Sequence, residues 1–270
     1  MYMNMYAMFF YEDIITQSRI TLVIENALYE QNKSFFDNVL PHFKKTAFDL
    51  NYDSLYIYSN DLSYSLFKSH FYCDPNINWR FQCLSRIEEY IIEKVNVTTF
   101  HGGGVVYNKI AFLFIGDRFC GKSTLIHYLA NECGYDYIDD DNIFYKDGKF
   151  WGCSMPIRLR NKPNFMDNVI LDFLDERNNT RYLIKASHDM SLLPQRTIII
   201  FPKFIEGEEF ITQITGRELF QKLIGSVRHS NGNLSMFKDL AEITKHVPSY
   251  YIKYDFCDIV SNLLKVLSVE

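Results

Sequence analysis

Ile110-Ala111-Phe112-Leu113-Phe114-Ile115 runs directly into Gly116-Asp117-Arg118-Phe119-Cys120-Gly121-Lys122-Ser123-Thr124. The first six residues are an apolar run of strand length. The next eight fill the pattern G-x-x-x-x-G-K-[S/T] without a mismatch. Each fixed residue type has a physical task. Glycines let backbone N–H groups curl around phosphate oxygens, Lys122 neutralises β/γ charge, and the Ser123 hydroxyl can ligate Mg²⁺. A helix is expected from about Lys122 to Cys133, closed by Gly134. Strand, phosphate loop and helix in that order predict an α/β fold with a nucleotide held by Gly116, Asp117, Arg118, Phe119, Cys120, Gly121, Lys122, Ser123 and Thr124.

Downstream, a strand-like run at Tyr135 to Ile138 ends in Asp139-Asp140-Asp141, about twenty residues after the loop. Three adjacent carboxylates commonly mark a solvated turn. Here a strand that neighbours the loop strand in a parallel sheet would deliver them beside the phosphates, to hold Mg²⁺ or take a proton from an attacking hydroxyl. Their mutual repulsion would raise the proton affinity of at least one, which suits a general base. Ile143 to Tyr145 and Phe150 to Trp151 then flank the hairpin signal Asp147-Gly148.

Upstream stands His101-Gly102-Gly103-Gly104. Such a run forms the oxyanion hole of some esterases, but those need a G-x-S-x-G nucleophile, which this chain lacks. A glycine-rich turn into the following strand would account for the glycines and leave His101 unexplained. Arg158, Arg160 and Lys162 are candidates for contacts with phosphates or an acidic substrate. Arg217 and the Arg228-His229 pair carry less weight, and His127 and His188 read as ordinary. Cys120 lies inside the loop, where amides and Lys122 can lower a thiol pKa.

In order and approximate spacing, His101-Gly102, the strand, Gly116-Asp117 to Gly121-Lys122-Ser123 and the Asp140-Asp141 pair resemble bacterial HPr kinase/phosphorylase and the HPr-kinase-related proteins. That family shares a P-loop core with phosphoenolpyruvate carboxykinases. Gly152-Cys153-Ser154-Met155-Pro156-Ile157-Arg158-Leu159-Arg160 resembles the Pro-containing, basic-ended segment that follows the acidic pair in those proteins. The resemblance implies ATP and Mg²⁺ as cofactors and phosphorylation of a serine hydroxyl. It assigns Lys122 to the β/γ phosphates, Ser123 to the metal, Asp140 as base, Asp141 to the metal or its water, and His101 to orienting or proton sharing. The acceptor it implies is a serine of a protein or a ribosomally made peptide. The alternatives are a small-molecule kinase and a nucleotide-sensing module without transfer. Three features depart from the family pattern: Phe119 stands where a mid-loop glycine is often found, Asp139 adds a third carboxylate, and the segment used for phosphorolysis is missing.

Around this core, residues 1–98 read as a smaller α/β region able to bind substrate or a partner, and 99–270 as the P-loop kinase domain. Ile20 to Ile24 and Ser54 to Tyr58 suit strands, and Asn32 to Lys45 suits a short helix interrupted at Pro41. Phe81, Leu84, Ile87, Ile91 and Val95 recur at helical spacing. Later strands are expected at Arg181 to Ile184, Thr197 to Phe201 and Tyr250 to Tyr254, before a C-terminal helix from Asp255 to Val266.

The 270 residues are 47% hydrophobic and 23% charged, which excludes a disordered or disulfide-scaffold reading. With 28 basic and 33 acidic residues the net charge is −5, without the basic field that nucleic-acid binding requires. The acidic start and the lack of a long apolar run argue against a signal peptide or membrane span. Six scattered cysteines form no Cys-x-x-Cys pair. A soluble cytoplasmic protein, able to form homo-oligomers, is expected.

Overall fold

The computed structural model describes residues 6–12, 15–16, 18–40, 43–46, 55–59, 70–73, 79–117, 119–160, 169–174, 180–186, 194–255 and Leu263. The chain forms two compact units. One comprises Met1–Asn96 and Arg160–Leu183, the other Val97–Leu159 and Ile184–Glu270.

The first unit is built on strands β1 (Tyr6–Glu12), β2 (Arg19–Glu25), β3 (Lys44–Thr46), β4 (Leu55–Ser59) and β5 (His70–Cys73), with helices α1 (Asn26–Gln31), α2 (Lys33–Val39) and α3 (Trp79–Val95). The strand order is β3-β1-β2-β4-β5. β1 is antiparallel to β2 and β3, while β2, β4 and β5 run parallel. Ile20, Leu22 and Ile24 of β2 and Leu55 and Ile57 of β4 are fully buried. On α3 the apolar stripe turns inward as its spacing predicts, with Leu84, Ile87, Ile91 and Val95 all buried. α2 ends at Val39, two residues ahead of Pro41, whose ring disfavours helix in the residue before it. The expected continuation to Lys45 is instead strand β3.

The second unit holds β6 (Thr98–Tyr107), β7 (Ile110–Ile115), α4 (Lys122–His127) with a π-helical turn at Tyr128–Glu132, β8 (Asp136–Asp139), β9 (Asn142–Lys146), β10 (Lys149–Trp151) and β11 (Ile157–Leu159). Strands β12 (Val169–Leu174) and β13 (Thr180–Ile184) follow. Unlike the expected continuous domain from residue 99, β12 and nearly all of β13 group with the first unit, where β12 packs on α2. The second unit resumes with β14 (Arg196–Phe204), β15 (Phe210–Gln213), α5 (Gly216–Ser226), β16 (Val227–His229), α6 (Asn233–His246) and β17 (Ser249–Tyr254). Of the expected C-terminal helix, only Asp255 and Leu263 lie among the described residues.

The sheet of the second unit is mixed, in the order β10-β9-β6-β7-β14-β17-β15, with β8 and β16 also paired to β6. β7, β14 and β17 run parallel, and β6 is antiparallel to β7. Ala111 to Ile115 have no exposed surface, which explains why the β7 run is apolar at every position rather than at alternate ones. One face of the sheet, carrying Ala111, Leu113, Ile115, Ile199 and Phe201, joins a core with Leu219 and Leu223 of α5 and Leu240 and Ile243 of α6. The β9–β10 hairpin turns on Asp147 (φ 49°) and Gly148 (φ 77°), both left-handed as a two-residue type I′ turn requires.

Candidate functional site

The loop after β7 supplies the first wall of the site. Gly121 takes φ 92° as it starts α4, and a side chain there would lie 2.7 Å from the Tyr254 hydroxyl. Only glycine combines that backbone with that closeness. Lys122 is 6% exposed, and its Nζ reaches across the loop to donate to the carbonyls of Gly116 (2.8 Å) and Asp117 (2.7 Å). The same Nζ lies 3.4 Å from His101 Nε2 and 3.7 Å from Cys120 Sγ. Ser123 is half-buried and Thr124 exposed; Arg118 falls outside the described residues.

The acidic turn reaches this loop by a route the sequence did not suggest. β8 does not neighbour β7. It pairs antiparallel with β6, which itself lies against β7, so β8 and β7 point the same way with β6 between them. His101 to Gly104 therefore form part of a strand rather than a turn. Gly103 admits the acidic turn: a Cβ there would sit 2.4 Å from the Asp139 carbonyl oxygen and 2.7 Å from the Asp140 Cα.

Each of the three carboxylates has a distinct environment. Asp139 holds the turn together. Its Oδ1 accepts the N–H groups of Asp140, Asp141 and Asn142 at 2.9 to 3.1 Å, and its Oδ2 those of Cys153 (3.0 Å) and Met155 (3.4 Å). Burial pushes this carboxyl up, and the donated N–H groups oppose that by favouring the charged form.

Asp140 is 5% exposed. Its Oδ2 accepts the Arg158 N–H at 3.1 Å, whereas its Oδ1 is buried with no hydrogen-bond partner. Burial first, and the neighbouring Asp141 and Asp139 charges after it, raise its pKa to about 7 against the Arg158 and Ser123 hydrogen bonds. Repulsion, the cause expected from the sequence, is secondary to desolvation.

Asp141 is engaged on every side. Arg228 grips it in a fork, Nη1 to Oδ2 at 2.8 Å and Nη2 to Oδ1 at 2.9 Å, while Nη1 also reaches Asn142 Oδ1 at 2.9 Å. His101 Nδ1 lies 3.2 Å from Oδ1, off the line of a straight hydrogen bond, and Arg158 Nη1 lies 3.7 Å from Oδ2. Burial pulls the Asp141 carboxyl up, but His101, Arg228 and Arg158 together hold it well below the usual carboxylate range. A metal ion at this carboxylate would share it with the Arg228 guanidinium, which donates one hydrogen bond to each oxygen.

The fold thus gathers His101, Lys122, Ser123, Asp140, Asp141 and Arg158 in one place. Arg160, two residues beyond Arg158, is exposed, and Lys162 and His188 fall outside the described residues. His127 is buried, which lowers its pKa. Arg228 is the residue the sequence undervalued. It lies 87 residues from Asp141, and the pairing of Val227 in β16 with Phe100 in β6 carries it to the site. No local pattern announces that pairing.

Among the described residues, no three His, Cys, Asp or Glu side chains are placed to share a metal ion. Mg²⁺ needs less, since one or two carboxylates with substrate phosphates and water suffice. The Ser123 hydroxyl at the start of α4 fits such a sparse donor set, and the Asp140 Oδ1 beside it is left as a proton acceptor. No helix among the described residues is long and apolar enough to cross a membrane.

No protein-family model matches the sequence, and no curated protein does. Among solved structures, the HPr(Ser) kinase/phosphatase from Coxiella burnetii is similar over 63% of this chain and 96% of that one, with 12% identity and a TM-score of 0.26.

Proposed function

We propose that the protein transfers the γ-phosphoryl group of ATP, with Mg²⁺, to a hydroxyl, specifically a serine of a protein or peptide. The observation that supports this most is Asp140: a buried carboxyl with pKa about 7, one oxygen unpartnered, close to Ser123 of the loop after β7. A base so poised accepts the proton of an attacking hydroxyl as the new O–P bond forms and ADP departs. Lys122 exchanges the Gly116 and Asp117 carbonyls for phosphate oxygens, Ser123 contributes its hydroxyl to Mg²⁺, and Asp141 orients His101 and Arg228. The serine acceptor follows from the sequence resemblance to HPr kinase-related proteins. Transfer, and not nucleotide sensing alone, is favoured because sensing has no use for a near-neutral carboxyl at the loop.

The test is transfer of label from γ-labelled ATP to serine-containing acceptors in cell extract. Wild-type protein should label an acceptor, and Asp140→Asn should slow transfer by about 10² or more while Mg²⁺-ATP still raises Tm. Lys122→Ala should lose most of the Tm rise. A protein that Mg²⁺-ATP stabilises but that labels nothing would be a sensor. One that Mg²⁺-ATP does not stabilise has no nucleotide loop.

A further inference from the structure

Phe119 breaks two local rules at once. It holds φ 71°, a left-handed backbone that favours glycine, and its side chain is 81% exposed. Local preferences tend to be broken where function demands it. A second exposed aromatic, Phe204 (44% exposed), borders the loop at Gly121. It ends β14, the parallel neighbour of β7, on the edge of the sheet from which the loop springs. Phe204 Cβ lies 3.5 Å from the position a Gly121 Cβ would occupy. Its ring meets that of Tyr254 edge-on, with centroids 5.8 Å apart at 67°. Tyr254 is fully buried, and its hydroxyl donates to the Gly121 carbonyl at 3.4 Å. The Phe204 ring is therefore braced against the phosphate loop itself, and the same edge of the sheet offers apolar surface and phosphate-binding backbone side by side.

We propose that Phe204, braced by Tyr254, and Phe119 form the platform on which the base of the bound nucleotide stacks. This rests on the nucleotide-binding reading of the loop. A nucleotide whose phosphates sit in the Gly116–Ser123 loop must direct its ribose and base out of it, and aromatic faces at the loop rim give a base a place to leave water. Stacking engages the π-face that every base presents, so it favours purines over pyrimidines without separating adenine from guanine.

The experiment compares the binding of Mg²⁺ complexes of ATP, GTP, CTP and inorganic tripolyphosphate to wild type, Phe204→Ala and Phe119→Ala, by calorimetry, with Tm confirming the fold of each variant. Wild type should bind ATP and GTP alike, and both about tenfold or more tighter than tripolyphosphate, which has no base. Phe204→Ala, outside the loop, should lose most of that margin while keeping the affinity for tripolyphosphate, and Phe119→Ala should narrow the margin of ATP over tripolyphosphate. If Phe204→Ala does not fold, Phe119→Ala and Phe204→Leu carry the comparison. Wild type that binds ATP no more tightly than tripolyphosphate overturns the platform and leaves the phosphate loop intact. Variants that lose both ligands equally overturn it as well. Wild type that binds neither overturns the platform together with the nucleotide-binding reading.

Discussion

Asp140→Asn should make the protein more stable at neutral pH while disabling it. In the native state the Asp140 carboxyl titrates near 7 instead of 3.8. Below the unfolded value it is protonated in both states, and nothing is lost. Between about pH 4 and 7 the unfolded chain releases the proton and the native state retains it, so stability falls as pH rises, and above 7 the full burden is present. At about 1.4 kcal/mol per pH unit, the rise from 3.8 to 7 amounts to about 4 kcal/mol above pH 7 and to about 2 kcal/mol at pH 5. Asparagine removes this burden and keeps the shape. Its oxygen can take over the Arg158 N–H bond of Oδ2, leaving the amide nitrogen at the unpartnered Oδ1 position, where a buried donor without a partner costs about 2 kcal/mol. The two proteins should therefore melt nearly together at pH 5. By pH 8 the variant should lead by about 2 kcal/mol, or about 4–8 °C in Tm. Thermal unfolding of both from pH 5 to 8.5 measures this, and the same titration should give wild-type kcat/KM a rising limb centred near pH 7. A Tm difference that does not change with pH, or a variant less stable at pH 8, would refute the assignment of a buried, near-neutral carboxyl to Asp140.

Asp139→Ala, one residue away, should behave in the opposite manner: five backbone N–H groups lose their acceptor, and stability falls by about 3 kcal/mol or more, read as a lower denaturant midpoint. A stable Asp139→Ala protein lacking only activity would place Asp139 in the chemistry instead. Gly103→Ala must displace the Asp139–Asp140 backbone and should lower stability by about 1–3 kcal/mol and transfer with it, whereas Gly225→Ala, with open space around it, serves as the control that stays folded and active.

Much of this was legible in the sequence, because it depends on neighbours along the chain. The apolar run of β7 ended where glycine began, the stripe on α3 gave that helix its limits, and Asp147-Gly148 gave the hairpin its turn. The loop between β7 and α4 was readable for the same reason: a glycine at the end of the strand and another at the start of the helix mark where the backbone must turn. What tertiary structure decided is which strand lies beside which, since strand pairing joins residues far apart in sequence and leaves little local trace. Only that pairing put β6 between β7 and β8, turned Gly103 into clearance for the acidic turn, and brought Arg228 onto Asp141. It also divided the labour among three adjacent aspartates. Residue type makes them equivalent, and only their burial and partners separate the one that ties the turn, the one that holds a proton near neutrality, and the one locked in ion pairs.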